Sequence, residues 1–244
     1  MILSAHQPVY LPWLGLFHKI ALADKFIFFD KVQYVPKDWI NRNQVKSPQG
    51  PVMLTVPVLR KGYLSKTIAD IEINNDLPWA RKHWKTLLLS YGKTNFFKQY
   101  ADFFEDLYNK QWHFLSDLNF YMLKWFLKTI GISTALEKAG DFNFEGAKSD
   151  LVLDMCLKRG ADIYIFGALG RDYADVEKFI ASGVKPFFQS YRHPIYKQLY
   201  GDFLPYMSVV DLLFNEGLNS LEIIMSGNIT KDDILGNIED SVQL

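Results

Sequence analysis

Short apolar blocks alternate with helix-spaced stripes near both ends of this chain, and helical spacing runs through its middle. Residues 1–5 form an apolar run, 7–15 hold Pro8, Pro12 and Gly15, 16–23 are helix-like, and 25–29 are again apolar and β-rich. A strand, loop, helix, strand unit of this kind predicts a parallel pair joined by a right-handed crossover. It places the 7–15 loop at the carboxyl edge of the sheet, where such folds bind ligands. Residues 32–50 are polar and aromatic with Pro36 and Pro48, and 52–59 and 68–73 then alternate as strands do. From Trp79 to about residue 129, apolar positions such as Leu87, Leu88 and Tyr91, then Phe103, Phe104 and Leu107, recur three and four apart, which predicts helices.

The alternation then returns. A helix over 150–159 is stopped by Gly160, a strand covers 162–166, a helix over 175–181 is stopped by Gly183, and a strand covers 185–189. The expected fold class is α/β, a Rossmann-like, mostly parallel sheet with a helical insertion or cap in the middle of the chain. Residues 1–75 and 145–244 would build the α/β core domain, and 76–144 the helical insertion.

Composition narrows the function. With 27 Lys and Arg against 27 Asp and Glu, the 244-residue chain has no net charge, which excludes the broad basic footprint of a nucleic-acid polymer binder but permits a local basic patch. A single cysteine cannot form an intramolecular disulfide. The first nine residues lack the pattern of a secretory signal, so a cytoplasmic location is expected. The apolar runs around Leu14, Phe28 and Leu88 are broken by Lys, Asp or His, so no membrane insertion is expected. The 13 Tyr, 19 Phe and 6 Trp change the picture more, because several lie beside Pro, Gly, Asn and Arg in loop-like sequence, where packing alone explains them less well.

Four segments could carry chemistry. The first, His6-Gln7-Pro8-Val9-Tyr10-Leu11-Pro12-Trp13-Leu14-Gly15, sets an imidazole, an amide and an indole in a loop stiffened by prolines; it reads as a pre-ordered ligand loop or as an aromatic-packed turn with a bonded histidine. The second, 30–46, holds Asp30, Gln33, Tyr34, Trp39, Asn41, Arg42, Asn43 and Lys46. Its guanidinium between two amides suits a phosphate or carboxylate, and equally a plain turn with a surface arginine. The third, 166–173, carries Gly167, Gly170 and Tyr173 directly after a strand, where glycines admit a ligand to the backbone or serve a structural turn. The fourth, 189–215, combines Gln189, Tyr191, His193, Tyr196, Gln198, Phe203, Ser208, Asp211 and Asn215, as stacking plus hydrogen bonding to a sugar or base would need, or as a folded-back arm would. Cys156 sits in an amphipathic helix and reads as a small buried residue, His83 and His113 have no metal-ligand spacing, and no metal site is expected.

Taken in order, these residues resemble the WbqC-like family of bacterial polysaccharide and O-antigen gene clusters, over nearly the whole chain. The resemblance rests on His6-Gln7-Pro8 with Tyr10, Pro12-Trp13 and Gly15, on Lys19, on Asp30 with Gln33 and Trp39, and on Asn41-Arg42-Asn43. It continues through Gly167, Gly170 and Tyr173 to His193-Pro194, Tyr196, Gln198, Phe203, Ser208, Asp211-Leu212-Leu213 and Asn215.

That resemblance implies an N-acyltransferase or aminoacyltransferase that forms an amide, with a glycyl or other small acyl group, on the amino group of a nucleotide-linked dideoxyamino sugar. It implies His6 or His193 as the base, Arg42 and Lys46 on the diphosphate, and Tyr10, Trp13 and Tyr196 beside the sugar or base. Gln7, Lys19, Asp30, Gln33, Asn41, Asn43, Gly167, Gly170, Tyr173, Gln198, Ser208 and Asp211 complete the implied binding set. A fold-level similarity of 166–173 and the first βα unit to nucleotidyltransferase-like ligases of the pantothenate synthetase kind implies ATP, although the paired histidines of those ligases after the first strand are missing. ATP, an activated acyl carrier and a charged-tRNA donor all stay open, as does a homodimer. The alternatives are an ATP-dependent ligase acting on another small carboxylate and a non-catalytic sugar-nucleotide binding or assembly protein.

Overall fold

Five short strands, the central ones largely apolar, set the architecture. They are β1 (Ile2–His6), β2 (Lys25–Phe28), β5 (Ala135–Lys138), β6 (Ile163–Phe166) and β7 (Lys185–Phe188), and they pair in parallel in the order β5-β2-β1-β6-β7. The computed structural model describes residues 1–242, with side chains to residue 236. Strands buried on both faces read as continuous apolar runs, and here successive residues feed different cores. Leu3 and Ala5 of β1, Ile27 of β2, and Tyr164 and Phe166 of β6 pack with Val152, Met155, Cys156 and Phe179, from α5 (Ser149–Arg159) and α6 (Val176–Ala181). Phe26 and Phe28 point the other way, onto α1 (Leu14–Ala21) and the helical middle.

The chain from β2 to β5 makes an antiparallel hairpin of β3 (Arg42–Ser47) and β4 (Gly50–Thr55), then α2 (Trp79–Tyr91), α3 (Phe97–Asn109) and α4 (Leu115–Ile130). Amphipathic stripes of these helices meet α1 and α7 (Val209–Glu216) in one continuous apolar cluster that includes Phe17, Phe104, Phe126 and Phe214. The helical middle is therefore packed onto one face of the sheet. The structure refines the sequence expectation at several points. The segment 135–138, counted with the insertion, supplies an edge strand of the main sheet. The second half of 52–59 and the segment 68–73 contribute only isolated bridges and a single turn of 3-10 helix, because their backbone groups bond loops and not a neighbouring ladder. After β7 an arm without regular structure leads to α7, then α8 (Ser220–Met225) and α9 (Lys231–Val242).

With β2 and β5 on one side of β1 and β6 and β7 on the other, the chain reverses its winding direction between β1 and β6. The crevice beyond the carboxyl ends at such a switch point is where open α/β sheets bind ligands.

Candidate functional site

His6 ends β1 at that switch point. Its Nδ1–H donates to the Gln7 carbonyl at 2.8 Å; a carbonyl only accepts, so this bond fixes the tautomer and leaves Nε2 with a lone pair. Among the described residues Nε2 has no partner, and the Trp13 indole holds the ring edge-on at 5.2 Å. Burial, reinforced by the neighbouring Lys19 ammonium, pushes the His6 pKa down to about 3, so the imidazole is neutral at neutral pH. Lys19, on the inner face of α1, is 3% exposed, donates from Nζ to the Ala5 carbonyl at 2.9 Å, and meets no carboxylate among the described residues. Burial alone brings its pKa down to about 7. His6, Gln7, Pro8 and Pro12 line a small cleft together with Phe26, Phe28 and Leu123.

The loop carrying these groups is strained and clamped. Leu11 has φ 45°, a left-handed conformation unusual for a branched residue. It is held there by Asn43, whose Nδ2 donates to the Leu11 carbonyl at 2.6 Å. Gly15 permits the next contact, since a Cβ there would stand 2.9 Å from the Tyr191 ring.

A second group of polar atoms lies beyond the end of β2. Asp30 is 5% exposed, and its Oδ2 accepts from the Ser116 hydroxyl at 2.6 Å, while Oδ1 is buried without a partner. One turn further along α4, Asn119 donates from Nδ2 to the Ile40 carbonyl at 2.8 Å, and its Oδ1 is likewise buried and unpartnered. Arg42, two residues past Ile40, has a buried Nε with no partner. Buried polar groups left unsatisfied are costly and uncommon. Here two acceptors and one donor stand unsatisfied on α4 and on segments bound to it. Ser116 and Asn119 were not among the residues picked out from sequence. Their signal is two polar residues three apart on the face of α4 that also carries Leu115, Leu118 and Met122.

The remaining sequence candidates fall into two sets. Several are engaged internally. Tyr10 is fully buried, its hydroxyl hydrogen-bonded to the Tyr108 hydroxyl at 2.6 Å and to His83 Nδ1 at 2.7 Å. Asn41 donates to the Val56 carbonyl at 2.7 Å. Lys46, expected on a diphosphate, is 4% exposed and donates instead to Gln198 Oε1 at 2.9 Å and the Asp202 carbonyl at 2.6 Å. Asp211 is buried and accepts from Tyr91 at 2.8 Å, Tyr196 at 2.7 Å and Gln198 at 2.8 Å. Burial holds its carboxyl above the usual range against those donors and the nearby Lys46. Ser208 is buried beside Trp13 with its hydroxyl unpartnered.

His193, expected as a possible base, uses both ring nitrogens. Nδ1–H donates to the Pro194 carbonyl at 2.8 Å, and Nε2 accepts from the Tyr206 amide at 3.2 Å. With those bonds made, no lone pair is left for a substrate proton, and the ring pins the arm through contacts with Tyr196, Phe203 and Tyr206. Gln33 bonds the Leu64 carbonyl at the surface, and Trp39 and Tyr173 are exposed. Gly167 faces open space after β6, whereas Gly170 is the residue that fits against Phe166, where a Cβ would stand 2.5 Å from the Phe166 Cβ. The turn from 168 to 172 is a 3-10 helix, and α6 begins later, capped by Asp175.

Fold and site together define an α/β protein with a parallel sheet of order β5-β2-β1-β6-β7, with His6 at the carboxyl end of β1 and Asp30 just beyond that of β2. The model of the WbqC-like protein family matches residues 7–223, which places each of the site's polar groups except His6 inside the match, and the chain belongs to that family. It is also 36% identical over 213 residues to a Mycobacterium tuberculosis protein described as uncharacterized protein Rv1507c, spanning 86% of this chain and 92% of that one.

Proposed function

We propose that this protein transfers an acyl or aminoacyl group to the amino group of a nucleotide-linked amino sugar, forming an amide. The observation that carries the reading is the pair at the end of β1: a neutral His6 with a free Nε2, next to a buried Lys19 that faces no carboxylate. Amide formation needs a neutral amine nucleophile. An amine arriving as ammonium must first lose one proton to solvent; the attacking amine then loses a second, which passes through the base to the departing oxygen or sulfur as the C–N bond forms and the bond from the acyl carbon to that atom breaks. His6 accepts a hydrogen bond from the incoming amine and aims its lone pair. Lys19, titrating near neutrality, is the group able to take a proton there, as a general base poised near the working pH should. Gln7 borders the same cleft.

The unpartnered Oδ1 atoms of Asp30 and Asn119 suit the hydroxyl and amino hydrogens of a sugar, and the Arg42 guanidinium suits the anionic part of the same molecule. A mostly apolar pocket with a few converging polar groups is the usual form of a small-molecule site.

The test is mass spectrometry of the purified protein with a panel of thymidine- and uridine-linked amino sugars and, in separate arms, amino acid plus ATP, an acyl carrier, or a charged tRNA. A mass gain matching an added acyl group, lost in Lys19→Met and reduced in His6→Ala, is expected. No gain with any sugar and any donor overturns the transferase reading in favour of a binding protein, and diphosphate release with a small carboxylate but no sugar points to a ligase.

A further inference from the structure

We infer that the outward face of α2 is a docking surface for the anionic headgroups of a membrane, a property independent of the reaction proposed above. From residue 77 to residue 101 the chain carries Arg81, Lys82, Lys85, Lys93 and Lys98 and no Asp or Glu, although it is neutral as a whole. His83 adds no charge, because burial pushes its pKa down to about 4.

α2 buries Trp79, His83, Leu87, Ser90 and Tyr91 against neighbours that include α3, β3 and α7. At about 3.6 residues per turn, this sets Arg81, Lys85 and Leu88 along the opposite side of the helix with Lys82 and Leu89 beside them, and all five are exposed. Leu88 is 47% and Leu89 65% exposed, too open to serve the core. Among the described residues, the side chains of Arg81, Lys82, Lys85, Lys93 and Lys98 make no hydrogen bond, ion pair or ring contact. Acidic residues resume at Asp102, and neither it nor Glu105 and Asp106, also on α3, lies within ion-pair distance of an α2 cation.

Charge and the two leucines together select the occupant. A second copy of this face would set the cations against their own counterparts across a two-fold axis, which like charges oppose. A nucleic acid would meet the cations but would give the leucines only phosphate and sugar, and the face has no exposed ring for a base to stack on: Trp84 is half-buried and stacked on Phe97 at 5.9 Å, and Tyr91 is buried. An anionic bilayer surface satisfies both features. Lysine and arginine stay with the phosphates, while the leucine side chains enter the boundary between headgroups and acyl chains. With 13 residues, α2 falls short of the ~20 that span a bilayer, so the contact lies along the surface.

The probe is vesicles of phosphatidylcholine and phosphatidylglycerol in equal parts, beside vesicles of phosphatidylcholine alone, with binding read by co-sedimentation. Wild-type protein should sediment with the mixed vesicles and not with phosphatidylcholine alone, and added salt should release it. Lys82→Gln with Lys85→Gln should lower the partition coefficient about ten-fold or more, whereas Lys124→Gln with Lys128→Gln, which removes the same charge from exposed positions of α4, should leave it within about two-fold. Leu88→Ser with Leu89→Ser should weaken binding to the mixed vesicles while the melting temperature stays near the wild-type value, since both side chains face water in the free protein. Equal binding to the two vesicle types, or an equal loss in the two lysine pairs, overturns the proposal, and so does full binding by the leucine variant. Transfer RNA that binds wild type but not the Lys82→Gln, Lys85→Gln variant, with no binding to vesicles, makes the face a nucleic-acid surface and overturns the membrane. Sedimentation is read without substrate, so the docking surface stands or falls apart from the acylation of an amino sugar.

Discussion

Lys19 sits, almost fully buried, in an environment far from what its type prefers. Its folded pKa of about 7 lies below the free value of 10.5. Between those values the unfolded chain binds a proton that the folded chain does not, so stability rises with pH across that window, and the full penalty is present below it. Lys19→Met, of similar volume, should therefore be more stable than wild type at about pH 6 by up to a few kcal/mol, with the advantage shrinking toward about pH 10. Chemical denaturation across that range checks it, and a difference independent of pH would show that Lys19 is charged in the fold. Transfer activity should rise through about pH 7 as Lys19 loses its proton. At Asp30 the expectation separates binding from folding. Asp30→Asn keeps an oxygen to accept from Ser116, so the melting temperature should move little, while KM for the sugar nucleotide should rise by about ten-fold because a donor replaces one acceptor. A large loss of melting temperature would make Asp30 a structural residue.

At the scale of elements, two glycines only three apart give opposite expectations. Gly170 lies against Phe166 at the end of β6, so Gly170→Ala should cost about 1–3 kcal/mol through displaced packing. Gly167 faces open space, so Gly167→Ala should leave stability within about 0.5 kcal/mol. Denaturant midpoints of the two variants compare them directly, and equal effects would refute the packing explanation. If substrate passes close to the backbone there, Gly167→Ala raises KM with stability intact. The loop after β1 is governed in the same way from outside itself, since Asn43 on β3 holds the left-handed Leu11. Asn43→Ala should cost about 1–3 kcal/mol and also slow transfer, because the loop it releases carries the Trp13 ring that packs on His6.

For the whole molecule, the Lys46, Gln198, Asp211, Tyr91 and Tyr196 network ties the β3–β4 hairpin, α2, α7 and the arm after β7 into one body. Removing the acceptor strands two buried tyrosine hydroxyls and the half-buried Gln198 amide. Asp211→Ala should destabilise by about 3–5 kcal/mol, and Asp211→Asn by less, as thermal unfolding would show; an effect near zero would mean the network is not closed in solution.

Much of this architecture was legible beforehand. Two-faced apolar strands such as 163–166, the three- and four-residue spacing of the middle helices, and the stops at Gly160 and Gly183 are local and periodic, and they survive folding unchanged because burial rewards them wherever the partner lies. The same reasoning led to the carboxyl edge, to His6, Asp30 and Arg42. It did not reveal how each polar group would be used. Lys46 and Arg42 are both basic residues on one strand, yet the first is bonded by an arm more than 150 residues away and the Nε of the second has no partner among the described residues. His6 and His193 look alike in sequence, each followed closely by proline, but the Tyr206 amide closes the second ring and nothing described closes the first. Sequence by itself determined the elements and the edge at which they present their loops. Only tertiary structure decided which polar atoms are satisfied within the protein and which are left for a ligand, because a hydrogen-bond partner is set by where distant segments meet and leaves no period in the chain.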